Sequence, residues 1–190
     1  MHSMLKGEDE TAEMIEKLAL MERQNCEWGN DSVTIKKEAE FIEAYLYLQS
    51  YRFGERLSFD IDIEPECEDV LIPKLTLVTF VENACVHGIE SKSSQGWIFV
   101  RIYQNERNLY IEVEDTGDGM EENEVLAMCS RMNNVTLESL KRYKRVGILN
   151  ACLRMKMMFE DKVKFDIESE KGIGLSVVIT IPKDTIKKGE

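Results

Sequence analysis

The sequence predicts an α/β (α+β) two-layer sandwich, a mixed β-sheet with helices packed on one face. Three observations predict it. Residues 57–64, LSFDIDIE, alternate without a fault: Leu57, Phe59, Ile61 and Ile63 point one way, Ser58, Asp60, Asp62 and Glu64 the other. Residues 73–88, PKLTLVTFVENACVHG, place apolar side chains at helical spacing. Two further pairs of β-rich runs, WIFVRIYQ with LYIEVED and KFDIES with LSVVITIP, read as hairpins on either side of another helical run. Strand, helix, hairpin, helix, hairpin is an order that builds one mixed sheet.

Taken in chain order, a polar GEDE stretch leads into a helical segment within residues 1–30. Met14, Ile15, Leu18 and Met21 supply its apolar side, and Trp28-Gly29-Asn30-Asp31 ends it. That is too little apolar surface to fold alone, so the segment is expected to pack on something. A helix from Ile35 to Phe53 follows, started by Thr34 and stopped at Gly54, with Ile42, Tyr45, Leu46 and Gln49 on one face. In the 73–88 helix, Pro73 suits the first turn and Gly88 the position just past the end. Leu75, Leu77, Val78, Val81, Ala84 and Cys85 form its core stripe. The first hairpin turns at Asn105-Glu106-Arg107-Asn108. Residues 121–144, polar, rich in Met and Asn and then basic, read as a mobile loop with a turn or two of helix. A helix over 147–159 and the last hairpin, turned by Glu170-Lys171-Gly172-Ile173-Gly174, complete the chain.

Composition narrows the function. The chain has 190 residues, is 43% hydrophobic and 32% charged, and carries a formal net charge of −12. That describes one folded domain with a short appendage, and it argues against a general nucleic-acid or anionic-membrane surface, which needs a basic face. No apolar run approaches the ~20 residues of a membrane helix, and no signal-peptide pattern opens the chain. Cys26, Cys67, Cys85, Cys129 and Cys152 are scattered without CxxC spacing, and there are two histidines. The expectation is reduced thiols, a cytoplasmic setting and no zinc site.

Three polar constellations carry candidate chemistry. Glu82, Asn83 and His87 interrupt the apolar stripe of the 73–88 helix, and Asn83 and His87, four apart, share one face. Alone this is an ordinary solvated face. Asp115-Thr116-Gly117-Asp118-Gly119-Met120 directly follows a strand, where a carboxylate can be fixed and partly buried. A buried carboxylate needs donors, and an adenine amine is one; Gly117 and Gly119 would let the backbone approach a planar base. Arg145-Val146-Gly147-Ile148-Leu149-Asn150 opens a helix whose unpaired N–H groups suit phosphates. Gly172-Ile173-Gly174 is by itself a turn.

Together these stretches resemble the ATP-binding domain of two-component sensor histidine kinases of the LytS/YesM-like class, within the wider gyrase–Hsp90–histidine kinase–MutL ATPases. FVENACVHGIE looks like the N box, DTGDGM the G1 box, RVGILNACLRM the G2 box and Gly172–Gly174 the final glycine box. YLYLQSYRFGERL and the Ile72-Pro73-Lys74-Leu75 approach resemble the class's own signature. Four weak motifs in the right order make a specific signal.

The resemblance implies a Bergerat-type fold over 31–190, with 1–30 a remnant of the dimerisation and phosphoacceptor helical region. It implies Mg-ATP as ligand and phosphoryl transfer to a histidine outside this chain. Asn83 would ligate Mg²⁺, Glu82 would be the general base or orienting group, and His87 would sit near the phosphates. Asp115 would read adenine. Gly117, Gly119 and Gly147 would shape base and phosphate contacts, with Arg145 and Gly174 in the flanking boxes and 121–144 as the ATP lid. The implied partners are the phosphoacceptor region of a membrane-anchored, homodimeric parent and a response regulator. The sequence departs from the pattern at three places. The phosphoacceptor stretch is missing, so His2 lacks that context and the chain is expected to begin just after it. Arg145 replaces the first glycine of the G2 box. Leu175 replaces a threonine, with Ser176 adjacent. A degenerate module that binds nucleotide or a partner without kinase activity is the rival these departures keep open.

Overall fold

The helix predicted over Ile35–Phe53 forms between those residues, α1, because both ends are chemically marked. The Thr34 side chain accepts from Lys37 N at 3.3 Å, and Gly54 takes the positive φ of 61° that stops the helix. The computed structural model describes residues 12–19, 31–90, 94–142 and 146–189. The remaining elements are β1 (Ser32–Thr34), β2 (Leu57–Ile63), β3 (Leu71–Pro73), α2 (Thr76–Asn83), β4 (Gly96–Gln104) and β5 (Asn108–Asp115), followed by α3 (Glu122–Asn133), α4 (Leu137–Leu140), α5 (Gly147–Met158), β6 (Lys164–Glu170) and β7 (Gly174–Pro182).

Five strands form the main sheet in the order β2-β4-β5-β7-β6, with β2 parallel to β4 and the other neighbours antiparallel. The alternation read from the sequence decides which side is covered. Ile98, Val100, Ile102, Leu109, Ile111, Val113, Val177, Ile179 and Ile181 are buried under the helices. The opposite side carries stacked Trp97–Phe99 and Tyr103–Tyr110 pairs, with Arg101 bridging Glu112 and Glu114. Beneath the helices, Ile42 and Leu46 of α1, Leu77 and Val81 of α2 and Leu149 and Met155 of α5 share one core with the sheet. No described helix is long and apolar enough to cross a membrane.

Four expectations are corrected. Pro73 does not open the 73–88 helix; it ends β3, paired with Ser32 of β1 in a small two-stranded sheet the sequence reading did not foresee. The helix starts at Thr76 after Leu75, which adopts φ 61° and ψ 27°. Nor does Gly88 lie past the helix end. After Asn83 the chain widens into a π-helical turn, Ala84–Ile89, with Glu90 N bonded to Cys85 O, and Gly88 is buried inside it.

The described part of 121–144, residues 121–142, holds more helix than the expected turn or two. α3 is twelve residues long, opened by a reciprocal capping box between Glu121 and Glu124. Val125, Met128, Cys129 and Met132 turn inward at helical spacing, and Asn133 pins the end to β6. Its amide donates to Phe165 O at 2.6 Å and accepts from Phe165 N at 3.1 Å.

The fourth correction concerns the N-terminal helix, of which 12–19 is described. It meets α1 through Glu13, which accepts from the Tyr47 hydroxyl at 2.8 Å, and through Lys17 over the Tyr47 ring. These two residues are one turn apart, so they bracket Tyr47 and turn the expected apolar side away: Ile15 is 61% and Leu18 49% exposed. Met21, Cys26, residues 28–30 and His2 lie outside the described residues.

Candidate functional site

The site is set by where β5 ends. Asp115 is the last residue of the middle strand, paired with Ile98 of β4 and Leu175 of β7, and its inward register leaves it 6% exposed. Its Oδ1 accepts from Gly117 N at 2.8 Å, which orients the carboxylate. The carboxylate forms the floor of a cleft of about 550 Å³ between α2, α3, the start of α5 and the β6–β7 end of the sheet. That is an ordinary size for a small-molecule site. Phe80, Val113, Met128, Met132, Ile167, Leu175 and Val177 give it largely apolar walls.

α2 and the π-turn bring Asn83 and His87 to one wall, as their spacing predicted. Asn83 Nδ2 donates to Thr79 O at 2.7 Å, which commits the amide nitrogen and leaves Oδ1 as the atom suited to a hard cation. Glu82, beside it, is exposed and is not part of the cleft wall. Beside Ala84 of that wall, burial pushes the Cys85 thiol up to about 12, so it is inert at neutral pH. Gly119 and Gly147 line the cleft, whereas Gly117 and Gly174 do not.

Backbone packing around Asp115 requires glycine at three of these positions. A Cβ on Gly117 would come within 2.3 Å of Gly88 Cα and 2.5 Å of Asp115 Oδ1. One on Gly174, at φ 152°, would come within 2.0 Å of Asp115 O. Gly119, at φ 63°, abuts Glu170 O. All three let backbone segments close around Asp115. Gly147 is different: a Cβ there would meet only Thr79 Cγ2, at 3.8 Å.

Comparison with known proteins places the chain in a family. The family described as "Histidine kinase-, DNA gyrase B-, and HSP90-like ATPase" matches residues 72–185, more than half of the chain. The chain belongs to this ATPase family.

The family described as "Histidine kinase" also matches this ATPase-family chain, over residues 1–57. The chain is 33% identical over 171 residues to sensor histidine kinase YesM of Bacillus subtilis, covering 90% of this chain and 27% of that protein. It is 29% identical over 166 residues to sensor protein LytS of Staphylococcus haemolyticus, covering 84% of this chain and 26% of that one. The chain thus spans about a quarter of the length of the curated relatives it matches. Among solved structures, the nucleotide-free catalytic domain of histidine kinase ThkA shares the fold, with a TM-score of 0.54 at 17% identity over 80% of this chain and 95% of that one.

At the cleft and behind it, three groups were not legible in the sequence as site residues. Arg131 of α3 and Lys171 of the β6–β7 turn line it and add positive charge, Arg131 with Nε bonded to Ala127 O and Lys171 3.9 Å from Glu121. Neither stands in a motif. Gly88, whose local signal is that of a helix stop, packs on Asp115 instead: a Cβ there would fall 2.5 Å from Asp115 Oδ1. Ser176 cannot replace the hydroxyl absent at Leu175. Strand alternation turns it to the other side of the sheet, 3.3 Å from Glu112 Oε1, while Leu175 faces the cleft. Arg145 lies outside the described residues.

Proposed function

We propose that this chain binds Mg-ATP in the Asp115 cleft and donates the γ-phosphoryl group to a histidine outside it, as the catalytic part of a sensor histidine kinase. The observation that carries the reading is the buried Asp115 carboxylate on the floor of an apolar cleft whose wall presents Asn83 and His87. In this reading Asp115 accepts from the adenine amine, and Val113, Met128, Leu175 and Val177 pack on the base. The phosphates run toward Gly147, where α5 begins and its N–H groups are unpaired within the helix, and toward His87.

The donor set fits magnesium. Among the described residues no cluster of three or more His, Cys, Asp or Glu side chains forms an all-protein cage. Mg²⁺ commonly takes one or two protein oxygens and completes its shell with phosphates and water, and Asn83 Oδ1 would be that protein oxygen. Bound there, the cation neutralises phosphate charge.

Glu82 is turned to solvent beside Asn83, where an incoming imidazole would meet it. It would hold the ring N–H while the opposite nitrogen forms the N–P bond and the bond to the ADP oxygen breaks. The reading extends to a homodimeric, membrane-anchored parent protein that contains the phosphoacceptor region, and to a response regulator as the next acceptor.

Calorimetry tests the binding half. Wild type binds ATP more tightly with Mg²⁺, and Asn83→Ala loses most of that gain, about tenfold or roughly 1.4 kcal/mol. Equal Mg-ATP affinity in the two proteins would remove Asn83 from the site. With γ-labelled ATP and a supplied phosphoacceptor domain, Glu82→Gln slows transfer more than it weakens binding; an unchanged rate refutes its role.

A further inference from the structure

The Glu38 carboxylate takes no part in that chemistry, yet it ends against the helix that carries Asn83. Glu38 is 3% exposed. Its Oε1 accepts from Leu75 N at 2.7 Å and its Oε2 from Leu77 N at 2.9 Å. The first turn of a helix presents unpaired N–H groups, and a local Ser, Thr, Asp or Asn ordinarily satisfies one of them. The cap residue of α2, Leu75, has no such acceptor and sits at φ 61°, a conformation disfavoured for a residue with a Cβ. The acceptor comes instead from α1, 37 residues earlier.

A second helix reaches the same point. Arg154 of α5 donates through Nη1 to Lys74 O. Burial raises the Glu38 carboxyl above its ordinary range, and the Leu75 and Leu77 N–H groups and then the Arg154 charge offset part of that rise. The Arg154 Nε is buried and, among the described residues, makes no hydrogen bond. A guanidinium held there despite an unsatisfied N–H is fixed by what its other end does. Residues 74–77 are therefore the meeting point of α1, α2 and α5. The last two supply facing parts of the cleft: Phe80, Asn83 and Ala84 from α2 and the π-turn, Gly147, Ile148 and Leu149 from α5.

We propose that Glu38, with Arg154, is a positioning residue that sets the axial placement of α2, and through it the placement of Asn83 against the Gly147 end of α5. The inference rests on the reading of the cleft as a Mg-ATP site. α2 is a rigid eight-residue rod of roughly 12 Å, so a displacement at Leu75 reaches Asn83 almost undiminished. Errors of about 1 Å in such groups cost on the order of a hundredfold in rate. The base-reading Asp115 is carried by β5 and oriented by Gly117, so adenosine binding depends less on α2.

Glu38→Gln tests this in the full chain. The amide keeps size and one acceptor but turns its NH₂ against a backbone N–H, so one of the Leu75 and Leu77 bonds is lost. Adenosine, ATP and Mg-ATP affinities are measured by calorimetry, transfer to a supplied phosphoacceptor domain at saturating ATP, and folding by thermal unfolding. Adenosine affinity stays within about threefold, while the gain from Mg²⁺ and the transfer rate each fall about tenfold or more. A folded Glu38→Gln protein with the Mg²⁺ gain intact overturns the proposal, and so does an equal loss for all three ligands. If Glu38→Gln does not fold, Arg154→Lys keeps the charge but not the reach to Lys74 O. It gives the same selective pattern at smaller size, and an unchanged Mg²⁺ gain overturns the proposal there too. A wild-type chain that binds adenosine but shows no Mg²⁺ gain overturns the cleft reading itself, which the variants cannot mimic.

Discussion

Gly88→Ala isolates the packing behind Asp115 without touching the cleft wall. The added methyl would lie 2.5 Å from Asp115 Oδ1, 2.6 Å from its Cγ and 2.8 Å from its Cβ. Non-bonded carbon contacts are comfortable near 3.5–4.0 Å, so the carboxylate must retreat by about 1 Å. Oδ1 now accepts from Gly117 N at 2.8 Å, and such a retreat carries that bond past the 3.5 Å at which a hydrogen bond is lost. Hydrogen bonds to charged groups contribute roughly 1.5–3 kcal/mol. The displaced carboxylate loses a bond of that size to the adenine amine as well, so adenosine affinity falls about 10- to 150-fold, and overpacking costs about 1–3 kcal/mol of stability. Gly147→Ala is the control, since it lines the same cleft with nothing nearer than 3.8 Å; its adenosine affinity stays within about threefold. Calorimetry with adenosine, beside thermal unfolding, reads both. A folded Gly88→Ala protein that binds adenosine like wild type would refute the argument that Gly88 exists to seat Asp115.

Asp115 sets base choice: it accepts from the adenine amine but would face a guanine carbonyl, and two opposed acceptors in a dry pocket cost about 1–3 kcal/mol. ATP is bound over GTP and Asp115→Asn blunts the preference; a wild type indifferent to the base contradicts it. Asn133→Ala removes both bonds to Phe165 and lowers stability by about 1–3 kcal/mol. Faster amide exchange confined to α3 and β6 accompanies it, and urea midpoints equal to wild type would show that the pin is idle. Arg145, beside Lys141, Arg142 and Lys144 in sequence, is expected to contact phosphate through its guanidinium. Arg145→Gly then weakens ATP binding by about 1–2 kcal/mol and leaves adenosine unchanged; tighter ATP binding means that the side chain obstructs the loop.

Local chemistry determined much of this protein directly from its residues. Thr34 and Gly54 bound α1, strict alternation over 57–63 made β2 one-sided, and the Asn105–Asn108 turn set the first hairpin. In each case a short-range signal and the tertiary structure asked for the same conformation. The pairing of Asn83 with His87 was legible too, because four residues are close to one helical turn. α3 was legible in principle, from Val125, Met128, Cys129 and Met132 at helical spacing, but its polar remainder outweighed them.

Tertiary structure alone decided the rest. Pro73 fits a helix start equally well on local grounds, and pairing with β1 made it a strand end. Leu75 adopts a disfavoured backbone where a carboxylate from α1 and a guanidinium from α5 converge, and neither is near in sequence. Local sequence at Gly88, Gly117 and Gly174, even where it signals a turn, does not reveal the packing that requires glycine: strands and the π-turn bring each Cα against Asp115 or its neighbours. Arg131 and Lys171 enter the cleft only once α3 and the β6–β7 turn fold over it. Elements such as α1, β2 and the first hairpin follow from contacts within about one turn of the chain. Which residues meet at the site follows from long-range closure, whose cost and reward are spread over the whole core.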